Sequence, residues 1–276
     1  MAKLLMKPAA AHGAVLTCTP ENAGWELIGL TAVKLAPGER FEGLNTGVEA
    51  VIVVQGGRCD VASSEGDFAG VGERANVFSG LPHALYLPVG ARFSITAVTN
   101  VELAVATSKA DQRFPARHIT PADVVVEIRG DGNATRQINK IVQPDFPAHR
   151  ILVVEVFTPS GNWSSYPPHK HDVHAMPGEA DLEEIYYYRI DKPEGYAIQK
   201  VYNDDRTIDE TLTVRDGELV LIPEGYHPVV APPGYNVYYL NVLAGSARSM
   251  AATDDPDFGW VRGTWTEQPQ DQRLFG

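Results

Sequence analysis

The chain has only two cysteines, Cys18 and Cys59, and neither falls in a metal-binding spacing. No disulfide framework can be built from them, and a reducing compartment is the simpler expectation. No stretch approaches the run of about 18 apolar residues needed to span a membrane as a helix. The first residues, MAKLLMKPAAAHGAV, carry basic side chains, but Pro8 and His12 interrupt any apolar core, so a signal peptide is not expected. Basic clusters are lacking too. The formal net charge is −12 with no Lys/Arg block, which argues against nucleic acid or an anionic membrane surface as partner. Long amphipathic helical patterns are scarce, and no Gly-x-Ser-x-Gly, phosphate-loop or dinucleotide fingerprint occurs. These absences leave a soluble, cytoplasmic protein acting on a small molecule, with homo-oligomerisation open.

What is present is a turn-rich β pattern. Gly (25) and Pro (20) punctuate short apolar runs, which points to an all-β chain. WELIGLTAVKLA (25–36) and GVEAVIVVQGG (47–57) read as strands ending in turns, and ALYLPVGARFSITAV continues the style. Residues 109–148 are polar and hold four prolines, with VVVEI as one strand among them. From RILVVEVF onward the strands resume, with Asp216-Gly217 as a hairpin signal. The order of elements repeats, which predicts two tandem antiparallel barrels: residues 1–115, a connection over 116–148, and 149–276 with a polar tail bearing Trp260 and Trp265.

The chemistry concentrates between Gly161 and His227. His169 and His171 flank Lys170, so on an extended segment both imidazoles face one side. Glu183 and Glu184 open a later strand, and only one of two adjacent strand residues can point inward. His227 follows Pro223-x-Gly225. Three imidazoles and a carboxylate suit one divalent ion per chain, whether zinc, manganese, iron or nickel. Around them, His174 and the tyrosines Tyr186 and Tyr188 are candidate proton carriers. Arg136, Arg189, Lys200 and Arg248 are candidate anchors for a substrate carboxylate through charge-assisted hydrogen bonds.

The pattern G…HxH…E, then G…PxG…H, resembles the cupin superfamily of small antiparallel barrels with a central metal. GNWSSYPPHKHD, LEEIYYYR, VYNDDRTIDET, PEGYHPV and YYLNVLAG together resemble the 5-deoxy-glucuronate isomerase family of inositol catabolism. The resemblance implies a bicupin of double-stranded β-helix type, with ligands His169, His171, one of Glu183 and Glu184, and His227. The family's turn falls seven residues after the ligand glutamate. Asp191 is a better turn residue than Ile190, which favours Glu184. The first barrel lacks the HxH, with Gly43-Leu44-Asn45 in its place, and is expected to be metal-free. The implied reaction is aldose–ketose isomerisation of 5-deoxy-D-glucuronate to 5-dehydro-2-deoxy-D-gluconate, by metal-assisted proton transfer or by a hydride shift. A metal-dependent dioxygenase and a non-catalytic sugar-binding barrel are the readings from other classes.

Overall fold

The structure is a computed structural model that describes residues 3–267, together with 271 and 273. The chain opens with β1 (Leu5–Met6), β2 (Gly13–Cys18), the short helix α1 (Pro20–Ala23), β3 (Ile28–Leu35) and β4 (Arg40–Leu44). The first half continues through β5 (Val48–Gly56), β6 (Cys59–Ser63), β7 (Phe68–Val71), β8 (Ala84–Leu87), β9 (Arg92–Ala97), β10 (Val101–Lys109) and β11 (Arg117–Ile119). Then come β12 (Val125–Arg129), β13 (Arg136–Val142), β14 (Leu152–Thr158), β15 (Trp163–Ser164), β16 (His169–Lys170) and β17 (Leu182–Ile190). The chain ends with β18 (Ala197–Tyr202), β19 (Asp209–Val214), β20 (Leu219–Ile222), β21 (Val229–Val230), β22 (Val237–Gly245) and β23 (Thr253–Asp254). A 3-10 segment follows at Gly259–Glu267. No described helix is long and apolar enough to cross a membrane.

Two large sheets lie at the centre. One has the order β11-β8-β5-β10-β3-β2, the other β1-β20-β17-β22-β14-β13-β12. Each faces a four-stranded sheet of its own half, β4-β9-β6-β7 in the first and β15-β21-β18-β19 in the second. Closed barrels were the expectation. Among the described residues no sheet closes on itself, and each lobe is a pair of facing sheets with a core between them.

The strand sequences show why. Ala50, Ile52 and Val54 of β5 enter the core of the first lobe, whereas Val51 and Val53 enter a second core shared with the other lobe. In β17, Tyr186 and Tyr188 face the core of the second lobe, while Ile185 and Tyr187 join the shared core. A strand buried on both faces reads as a near-continuous apolar run rather than an alternation. VIVV and IYYY are such runs.

One edge strand crosses between the halves, and another folds back. β1, at the start of the chain, pairs with β20 of the second lobe, while β11, past the first lobe, turns back to pair with β8. The stretch expected to be a connection thus supplies an edge to one sheet through β11. Through β12 and β13 it extends the other.

Two glutamates tie the lobes reciprocally. Glu49, fully buried at the start of β5, accepts the backbone N–H groups of His149 (2.8 Å), Arg150 (2.6 Å) and Ile151 (2.9 Å), just before β14. Tyr86 Oη donates to it as well, at 2.8 Å. Glu183, at the start of β17, accepts from Glu26 (2.7 Å), Leu27 (2.9 Å) and Ile28 (3.0 Å), where β3 begins. A third tie is fully buried: Arg74 donates to Glu155 at 2.6 Å, and Tyr238 and Asn139 donate to the same carboxylate.

Glu49→Gln keeps the shape of that anchor but turns one acceptor oxygen into an NH2 group facing backbone donors. A buried donor left unpaired costs about 1–3 kcal/mol. Urea unfolding of the variant is expected to show a loss of about 2–4 kcal/mol, more than for Glu183→Gln, whose carboxylate is only half-buried. An unchanged urea midpoint would remove the anchor from the account of stability.

Candidate metal centre

His169 and His171 lie in and just beyond β16, a two-residue strand held by β23 from the end of the chain. Glu184 is the second acidic residue of β17, and the pleat sends it inward. Gly225 sets the path to His227: its φ is +91°, and a Cβ there would meet the Tyr202 carbonyl oxygen at 2.4 Å. The result is convergence. His171 Nε2 lies 2.9 Å and His227 Nε2 3.2 Å from Glu184 Oε2, and one ligand atom from each residue lies within 4.8 Å of the others. The His169 ring stands 4.9 Å from that of His227.

Each imidazole has its Nδ1 against a backbone carbonyl: His169 on Pro167 (3.2 Å), His171 on Leu182 (3.0 Å), His227 on Gly225 (2.7 Å). Nδ1–H donation to those carbonyls makes Nε2 the lone-pair nitrogen of each neutral ring, and that of His171 lies 2.9 Å from Glu184 Oε2. Outer partners of this kind fix the tautomer of metal-ligating histidines. His227 Nε2 is buried without a hydrogen-bond partner among the described residues, an unmet demand that a cation would satisfy. The donor set fits a divalent metal. Burial pushes the pKa values of His169 and His227 down to about 3, so both supply neutral nitrogens. Burial also works against a charged His171, but the Glu184 carboxylate outweighs it and the pKa is raised.

A cavity of about 180 Å³ opens onto the centre, lined by Arg129, Arg136, His169, His171, Glu184, Asp254 and Arg262 among others. Arg129 is paired with Glu127, and Arg262 with Asp254. Arg136 is buried and donates to the Ala134 carbonyl at 3.1 Å, with no carboxylate partner among the described residues. Burial lowers its pKa only to about 10, so it stays charged.

The structure separates the remaining candidates. Glu183 points away from the histidines and serves the lobe junction described above. His174 is on an exposed loop, with Nδ1 2.7 Å from Ser246 Oγ. Tyr186 packs against His227 with ring centroids 5.8 Å apart, and its hydroxyl is 2.9 Å from Ser165 Oγ. Burial, then the Glu184 carboxylate, hold its pKa well above the ordinary tyrosine value. Tyr188 lies further along the strand and donates to Gln199 at 2.8 Å. Three cationic candidates are spent elsewhere. Arg189 faces the opposite side of β17 from Tyr188 and pairs with Asp216 (2.8 Å) and with Glu102 of the first lobe. Lys200 pairs with Asp209 on the neighbouring strand, and Arg248 donates to the carbonyls of Gln143, Pro144 and Phe146. Asn241, overlooked in the sequence, donates to Glu184 Oε1 from β22. Its signal was there to read: one amide in an otherwise buried apolar strand, VYYLNVLAG.

A sequence profile of the KduI/IolB family matches residues 4–261. A 5-deoxy-glucuronate isomerase from Geobacillus thermodenitrificans is 46% identical over 251 residues, 91% of this chain and 92% of that protein. The one from Bacillus subtilis strain 168 is 38% identical over 268 residues, 95% of this chain and 99% of its own. Among solved structures, an IolB-like protein from Salmonella typhimurium superposes with a TM-score of 0.93 at 37% identity, covering 95% of this chain and all of the other. An oxalate decarboxylase from Bacillus subtilis, at 14% identity and TM-score 0.65 over 92% of this chain and 80% of its own, shares the cupin fold alone. With a profile match over nearly the whole chain and full-length relatives well above 30% identity, the chain belongs to the KduI/IolB family.

Proposed function

We propose that the chain converts 5-deoxy-D-glucuronate to 5-dehydro-2-deoxy-D-gluconate, the aldose–ketose step of inositol breakdown, in the second lobe of a bicupin. The observation that carries this reading is the meeting, in one cavity, of His171 and Glu184, which converge with His227, and the guanidinium of Arg136, which has no carboxylate partner among the described residues. A sugar acid bearing an aldehyde at one end and a carboxylate at the other requires both. The isomerases among the relatives support the same reaction.

His169, His171, Glu184 and His227 would hold one ion of zinc, manganese, iron or nickel. Such an ion, when bound, supplies Lewis acidity that makes the C2 proton beside the aldehyde removable. The contribution of the chain is position. Backbone carbonyls fix the three imidazoles, and Asn241 fixes Glu184. Arg136 anchors the carboxylate and so decides which end of the substrate meets the histidines. The reaction moves one proton from C2 to C1 and one from O2 to O1, and consumes no oxidant. Tyr186 keeps its proton, because burial and the Glu184 carboxylate hold its pKa well above the ordinary tyrosine value, so it does not serve as the general base.

His171→Ala is expected to lower metal retention at this centre by more than the roughly 100-fold that loss of an outer partner brings. Turnover should vanish while the circular dichroism spectrum stays that of the parent. Full metal content with full activity would move the centre elsewhere. Arg136→Gln removes a charge-assisted contact of about 1.5–3 kcal/mol, which corresponds to about 10–160-fold in kcat/KM. The loss should fall mainly in KM, and an unchanged KM would place the carboxylate in another position. The reaction itself is tested by following the aldehyde resonance of 5-deoxy-glucuronate by NMR in deuterated water. Loss of the aldehyde with solvent deuterium in the product supports proton transfer, and retained protium indicates a hydride shift. No turnover with any of the four metals would overturn the isomerase reading.

A further inference from the structure

The first lobe holds a second cluster of metal-ligating side chains, built from three separate segments. Glu73 follows β7, His83 immediately precedes β8, and His118 lies in β11. In the β11–β8 pairing His118 stands opposite Leu85. His83 is two residues before Leu85 and shares its face, so the two imidazoles meet diagonally across the strand pair. His83 Nδ1 is 3.1 Å from His118 Nε2, with ring centroids 5.3 Å apart. The Phe68 ring packs edge-on against His118 at 6.3 Å.

One proton shared between these rings satisfies Nδ1 of His83 and Nε2 of His118 and nothing more. His83 Nε2 is buried without a hydrogen-bond partner among the described residues, and Glu73 Oε1 lies 3.8 Å from it. A borderline divalent cation between the rings accounts for the approach of His83 Nδ1 to His118 Nε2. Metal–nitrogen bonds of about 2.0–2.1 Å at a tetrahedral angle place two imidazole nitrogens about 3.3 Å apart, close to the 3.1 Å found. With Nδ1 of His83 on the metal, its proton resides on Nε2 and points to Glu73, the carboxylate–histidine–metal arrangement that orients such ligands. Glu73 is largely exposed, with 72% of its side chain open to solvent.

We propose that His83 and His118, oriented by Glu73, bind a second zinc-class divalent ion that clips strand β11 to β8. This site is independent of the second-lobe centre and of the reaction assigned to it. The test is a metal count on chelator-stripped, full-length protein dialysed against zinc alone. The parent chain is expected to take up two ions and His83→Gln/His118→Gln one, with turnover unchanged. His171→Ala is expected to take up one, and the triple variant none. A second readout covers the case in which the double variant fails to fold. Glu73→Gln, at the surface, should weaken zinc retention at the first-lobe site about 10–100-fold and leave the other site untouched. The proposal is overturned if the double variant binds as much zinc as the parent, if His171→Ala binds none, or if Glu73→Gln retains zinc as the parent does.

Discussion

The alternation of side chains along β17 is the constraint on which the rest depends. Glu183 and Glu184 are neighbours, and the pleat sends them to opposite faces of the sheet. Glu183 takes the three N–H groups that start β3 and thereby fixes the first lobe against the second. Glu184 meets His171 and His227 inside the second lobe. The residues after them keep the same division, with Tyr186 and Tyr188 on the site side and Ile185 and Tyr187 in the shared core. A slip of one residue would exchange the two faces, aiming the anchoring carboxylate at the histidines and burying the other against the first lobe. Lobe assembly and site assembly are thus one event of register.

The strand pairings put the two halves on a common frame. Glu49 and Glu183 open the equivalent strands β5 and β17, and each caps the backbone that enters the other lobe. In that frame Ala50 stands where Glu184 does. Val105, two residues beyond Leu103 on β10, matches Asn241 on β22. Ile52 and Val54 take the places of Tyr186 and Tyr188. The shared scaffold carboxylate is present in both halves, whereas the polar interior belongs to one. The first lobe fills the same volume with a core of aliphatic side chains, including Ala50, Ile52, Val54, Leu103 and Val105. A buried polar group without a partner is costly, so a site of this kind is present with all its partners or replaced throughout.

Much of this was legible in the sequence because it is local. Runs such as VIVV and IYYY, the Asp216-Gly217 turn, and His169 and His171 two residues apart are statements about neighbouring residues, and strand geometry converts them directly into faces. Edge pairing is not local. Nothing within Leu5–Met6 or Arg117–Ile119 says which sheet it will join, since the choice rests on partners more than a hundred residues away for β1 and on a reversal of direction for β11. Three of the cationic candidates are ion-paired or hydrogen-bonded elsewhere for a related reason. Arg189, Lys200 and Arg248 each found a partner that sequence distance conceals: Glu102 in the other lobe, Asp209 on the adjacent strand, and carbonyls of the segment that leads into β14. An arginine is available to a ligand only if the fold leaves its charge unmatched, and among those at the cavity that holds for Arg136.

The end of the chain shows how far the site depends on distant sequence. β23 pairs with β16, so the histidine strand is held by residues more than eighty positions later, with His169 opposite Asp254. Asp254 in turn pairs with Arg262, and both line the cavity together with Met250 and Ala252. A two-residue strand carries too few backbone hydrogen bonds to hold a ligand pair by itself. The closing segment therefore does two things at once: it holds the strand that carries His169, and it forms part of the cavity wall. In this lobe, the histidine strand and that wall rest on the same few hydrogen bonds.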